Sequence, residues 1–69
     1  MRELEIILNG EPRRIPAPAT AADLLTSLGL DPRTVVVELN RVIVRRPALS
    51  RTALSQGDAV ELVHFVGGG

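Results

Sequence analysis

The chain has 69 residues, no cysteine and a single aromatic residue, and its eight arginines are balanced by eight acidic residues to a net charge of zero. That length holds one domain with a small aliphatic core and little room for an enclosed active site, since so small a domain buries only about 60% of its unfolded surface. Zero net charge argues against non-specific nucleic-acid binding, and the absence of Cys excludes disulfides, thiolate nucleophiles and Cys-ligated metals. There is no Lys either, which excludes a Schiff base and any side-chain amine acceptor for an isopeptide bond. No stretch approaches the roughly 20 apolar residues of a membrane span and no signal peptide opens the chain, so a soluble, cytoplasmic protein with no membrane or nucleic-acid partner is expected.

From Glu3 to Leu8 the chain alternates, with Leu4, Ile6 and Leu8 on one face and Glu3 and Glu5 on the other, the pattern of a half-buried strand. Asn9-Gly10 is the preferred pair for a two-residue hairpin turn, so a second strand over roughly Glu11 to Pro16 returns antiparallel. Pro12 lacks an N–H and puts that strand at a sheet edge. After Pro16-Ala17-Pro18, Thr20 is placed as a helix N-cap with Asp23 three residues on. Ala21, Leu24, Leu25 and Leu28 form one helical stripe, Gly29 is positioned to end the helix, and Asp31-Pro32 blocks its continuation.

Thr34 to Leu39 reads as a strand, Asn40-Arg41 as a turn and Val42 to Val44 as a short partner strand. Arg45 to Ala53 has little periodicity and reads as a loop, with room for a turn of helix. Leu54 to Asp58 carries turn chemistry, and Ala59 to Val66 is the last strand before Gly67-Gly68-Gly69. The order ββ, α, ββ, β is that of an α+β, β-grasp (ubiquitin-like) domain: a mixed sheet with one main helix packed on one face. The expected organisation is a domain over 1–66 and a flexible glycine tail over 67–69.

The tail is the informative motif. A glycine run is the thinnest thread a peptide offers, and three residues reach roughly 10 Å, enough to carry a terminal carboxylate into a partner's active site. A carboxylate is a poor electrophile until it is activated, for instance as an acyl-adenylate. Asn9-Gly10-Glu11, Asp23-Leu24-Leu25 with Gly29-Leu30, Val37-Glu38-Leu39-Asn40, Gly57-Asp58 and the closing Phe65-Val66-Gly67-Gly68-Gly69 together resemble the ThiS family, the sulfur carrier proteins of thiamine-thiazole synthesis. The resemblance covers essentially the whole chain. It implies a carrier and not an enzyme: an ATP- and magnesium-dependent activating enzyme adenylates the Gly69 carboxylate, a partner's persulfide sulfur displaces AMP, and thiazole synthase takes sulfur from the resulting thiocarboxylate. On this reading the protein binds no cofactor or metal of its own. Carriers for molybdopterin synthesis or transfer-RNA thiolation, and a ubiquitin-like protein modifier, remain open alternatives.

Beyond the tail the candidates are few. His64 is the only imidazole and has no companion ligands; Asp58 beside Gly57 reads as a turn residue; Arg45-Arg46 is either a solvated pair or a contact for an acidic partner. Strand alternation puts Ile7 with Glu3 and Glu5, Val36 with Glu38, and Val63 and Phe65 with Glu61. If those carboxylates mark solvent, Ile7, Val36, Val63 and Phe65, with Val66 beside them, form an apolar partner-binding patch at the base of the tail.

Overall fold

A computed structural model describes residues 2–64. Strands β1 (Glu3–Leu8) and β2 (Glu11–Pro16) form an antiparallel hairpin in the register Leu8 to Glu11. Asn9 and Gly10 turn it with φ of 49° and 83°, the left-handed pair that matches the twist of the flanking strands. β2 lies at one edge of the sheet, where the missing N–H of Pro12 costs no ladder bond.

Helix α1 (Ala21–Ser27) begins at a reciprocal capping box. The Asp23 N–H donates to Thr20 Oγ1 at 3.1 Å, and the Thr20 N–H donates to Asp23 Oδ2 at 2.8 Å. It ends in a Schellman motif: the Gly29 N–H donates to the Thr26 carbonyl and the Leu30 N–H to the Leu25 carbonyl, with Gly29 at φ 71°. Ala21, Leu24 and Leu25 are buried against the sheet.

One stretch differs from the sequence reading and a second is made definite by the structure. Thr34 is not in the strand; it closes a 3-10 turn over Pro32–Thr34, held by Asp31, whose carboxylate accepts from the Arg33 N–H at 2.8 Å and whose carbonyl accepts from Thr34 Oγ1. Strand β3 therefore runs Val35–Leu39. The stretch read as a loop with room for a turn of helix contains one, helix α2 (Arg46–Leu49), with Pro47 in its first turn and buried Leu49 as its anchor.

β4 is Val42–Val44 and β5 is Ala59–His64, and the sheet order is β2-β1-β5-β3-β4. The last strand thus lies in the middle, parallel to β1 and antiparallel to β3. Ile6, Leu24, Leu25 and Val60 are the largest fully enclosed side chains, and among the described residues none that is polar or charged is buried. Because the helix owes its first turn to one hydroxyl and one carboxylate, Thr20→Ala should lower stability by about 1 kcal/mol in urea unfolding. An unchanged midpoint would show that packing alone sets the helix start.

Candidate functional site

β5 is the strand that leads to the glycine run, so whatever fixes β5 fixes where that run departs. Phe65, Val66, Gly67, Gly68 and Gly69 lie outside the described residues. β5 pairs with β3 from Val35 opposite His64 to Leu39 opposite Val60, but with β1 only at Ile7–Ala59 and Leu8–Val60. Asn9 makes up the deficit. Its backbone N–H donates to the Val60 carbonyl at 2.9 Å. Its side-chain amide then acts as one more peptide unit: Oδ1 accepts from the Leu62 N–H at 2.8 Å, and Nδ2 donates to the Leu62 carbonyl at 3.4 Å.

Asn40 clips the strand from the other side, with one bond to its backbone and one to the Asp58 carboxylate. It sits in the second hairpin turn at φ 50°, followed by Arg41 at φ 70°. Its Oδ1 accepts from the Ala59 N–H at 2.9 Å and its Nδ2 donates to Asp58 Oδ1 at 3.1 Å. Asp58 Oδ2 in turn accepts from the Ser55 N–H at 2.7 Å, which makes Asp58 a turn residue and occupies both of its oxygens. The sequence showed two turns; it did not show that each opens on an Asn whose amide reaches the central strand.

The sheet face away from α1 carries Ile7, Val36 and Val63; their neighbours Ile6, Val35, Val37 and Val60 are buried in the core. Val63 is 53% and Ile7 36% exposed, and Val36 is half-buried. Val36 and Val63 stand directly opposite each other in the ladder, at the end of β5 from which the chain continues to Phe65. Ile7 stands opposite Ala59, at the other end of β5, so the structure does not bring it beside Val63. Between them Glu38 faces Glu61 across the strands, a like-charge pair of the kind that destabilises a sheet when no cation is near. Ile43, 60% exposed and opposite Glu38, extends the apolar surface on the far side. The two-residue turn at Asn40-Arg41 fixes that register, and it was the available signal for Ile43.

No group of His, Cys, Asp or Glu among the described residues is arranged to hold a metal. His64 is exposed at the end of β5, with Val35 as its ladder partner. No helix among them is long and apolar enough to cross a membrane. The clearest perturbed group is Asp31: side-chain and backbone hydrogen bonds from Arg33 hold its carboxyl down at about 2, below the ordinary 3.8. It belongs to the 3-10 turn and takes no part in the face just described.

A mixed five-stranded sheet carrying one main helix, with its C-terminal strand at the centre, defines the class as a β-grasp, ubiquitin-like domain. The chain belongs to the ThiS family, whose model matches residues 6–69. It superimposes on the crystal structure of a thiamine biosynthesis protein (ThiS) from Geobacter metallireducens with a TM-score of 0.81 and 33% identity, covering 96% of this chain and 100% of that one. It is 42% identical to the sulfur carrier protein ThiS of Bacillus subtilis over 50 residues, 72% of this chain and 76% of the relative. It is also 42% identical over 66 residues to a thiazole synthase of Magnetococcus marinus; the match takes in 96% of this chain but only 20% of that relative's length.

Two measurements test this site. Asn9→Gly keeps the turn's backbone but deletes the amide clip, so it should cost about 1 kcal/mol and speed hydrogen exchange at the Leu62 amide. Unaltered exchange at Leu62 would mean that the backbone pairing suffices. Val63→Asp should change stability by no more than about 0.5 kcal/mol, whereas Ile6→Ala should cost about 2–5 kcal/mol. Comparable losses in the two variants would place Val63 in the core.

Proposed function

We propose that this chain is a sulfur carrier of thiamine-thiazole synthesis and that its reactive group is the carboxylate of Gly69. The observation that carries this reading is the family match, which runs through the glycine run to Gly69. The Bacillus and Geobacter relatives bear the names sulfur carrier protein and thiamine biosynthesis protein. The occurrence of a closely similar stretch within chains named thiazole synthase supports thiazole synthase as the sulfur acceptor.

The chemistry follows from the poverty of the terminus. The Gly69 carboxylate attacks the α-phosphorus of ATP, held with magnesium in the activating enzyme, and pyrophosphate leaves. The terminal sulfur of a partner's persulfide attacks the acyl carbon and AMP leaves. A thiol then cleaves the S–S bond of the acyl disulfide, leaving the thiocarboxylate on Gly69 and a disulfide on the donor side. Throughout, this chain supplies the acyl group and no catalytic side chain. Gly67 and Gly68 are the thread: without Cβ atoms they pass through a channel too narrow for other residues. The β-grasp domain serves as the handle, and Val36, Val63, Phe65 and Val66 as the apolar surface a partner grips, with Ile7 at its far margin. The absence of Cys protects the adenylate from capture by the chain's own thiols, and the absence of Lys removes internal amine acceptors.

The test is intact mass after incubation with activating enzyme, ATP and a persulfide donor. One oxygen should be exchanged for sulfur, and extending the chain by one bulky residue beyond Gly69 should abolish the exchange without altering the fold. Equal thiolation of the extended chain would sink the proposal. Amide-linked conjugates in place of the thiocarboxylate would assign the chain to the protein modifiers.

A further inference from the structure

The edge of the sheet opposite β2 is incomplete. β3 starts at Val35, but β4 covers only Val37 to Leu39, through the pairs Val37–Val44, Glu38–Ile43 and Leu39–Val42. After Val44 the chain leaves the sheet through Arg45 and enters α2. Among the described residues, Val35 and Val36 therefore have β5 on one side and no strand on the other. The Asn40 N–H donates to the Ala59 carbonyl at 2.7 Å, so Asn40 faces β5. By alternation Leu39, Val37 and Val35 turn their peptide groups toward the β4 side, where at Val35 the ladder has run out.

A groove of about 450 Å³ fills this notch. Val36 and Ile43 line it from the open face of the sheet, and Val35 and Val44 from the helix-bearing face. Side chains of both faces share one groove only where a sheet edge is uncovered. An added strand, with its own side chains alternating, finds an apolar surface on each side. The rim is cationic: Arg33, Arg45 and Arg46. Arg33 is engaged by Asp31 at 2.8 Å, while neither Arg45 nor Arg46 forms an ion pair with a described residue.

A short edge strand followed by Arg-Arg-Pro is also a defence against edge-to-edge aggregation. The two readings reinforce each other, because two guanidinium groups that repel a second copy of this edge favour a strand of opposite charge. A run of phosphates is a poorer match, since two arginines on a chain of zero net charge release few counterions.

We propose that this notch binds an extended acidic segment of a partner protein by strand addition to the start of β3, with Arg45 and Arg46 taking its carboxylates. The surface lies at the β3–β4 edge and shares Val36 and Ile43 with the open face, but strand addition there needs neither activation nor sulfur transfer, so it is tested on the chain alone. The probe is a short capped peptide alternating glutamate and valine, titrated into the 15N-labelled protein. The amides of Val35, Val36, Val44, Arg45 and Arg46 should shift, and the counterpart alternating lysine and valine should leave them unmoved. Arg45→Glu with Arg46→Glu should weaken binding by about fivefold or more, and raising the ionic strength of the wild type should weaken it in the same direction. Four results would overturn the proposal: no shift at millimolar peptide, equal binding of the lysine peptide, shifts centred on Ile7 and Val63, or tighter binding of a short RNA at the same amides.

Discussion

The structure depends on the insertion of its last strand between its first and third. Until β5 is in place, the β1–β2 hairpin and the β3–β4 hairpin are separate two-stranded ribbons, which are at best marginally stable alone. β5 joins them through contacts between residues some fifty positions apart, such as Asn9 with Leu62. These are the contacts whose chain-closure entropy is the largest to overcome. Val60, enclosed at 1% exposure, ties this strand to the core under α1. Each hairpin contributes an Asn at its first turn position, φ 49° at Asn9 and 50° at Asn40, and each side chain reaches β5 from its own side. The backbone conformation that closes the turn also aims the amide at the strand. Gly would satisfy the first requirement and lose the second.

This arrangement separates two jobs along one strand. Ala59 to Leu62 is clamped on both sides by backbone ladders and Asn amides. Beyond Leu62 the pairing continues on the β3 side alone, at Val63 and His64. The strand is thus paired on both sides at its start and on one side only at Val63 and His64. Glu38 and Glu61 stand opposite each other in the ladder, a like-charge placement that costs the sheet a little stability.

Much of the fold was legible because local chemistry and global topology agree. Asn9-Gly10, the Thr20–Asp23 cap, Gly29 and the Val-rich strands each act within a few residues, and the structure uses each in that way. The short helix at Arg46–Leu49 was harder to see, because it has no side-chain cap and is held by one buried residue, Leu49. Thr34 was read as strand with the Val-rich run that follows it, yet the Asp31 cap recruits its hydroxyl into a 3-10 turn. At the site, alternation was enough to sort Ile7, Val36 and Val63 from Ile6, Val35 and Val37. It did not give adjacency: ladder register sets Ile7 and Val63 at opposite ends of β5, and brings Glu61 between them.

The same distinction explains why the notch at the β3–β4 edge was invisible. Arg45-Arg46 stands out in the sequence as a charged pair, but its meaning comes from β4 stopping two residues short of the start of β3. That mismatch is a property of pairing, set by where the chain must leave the sheet to bring Leu49 into the core. Had β4 continued, the arginines would flank a finished edge and their charge would serve solubility alone. Because it stops, Arg45 and Arg46 line one groove together with Val35, Val36, Ile43 and Val44, beside a stretch of β3 that no described strand pairs on that side.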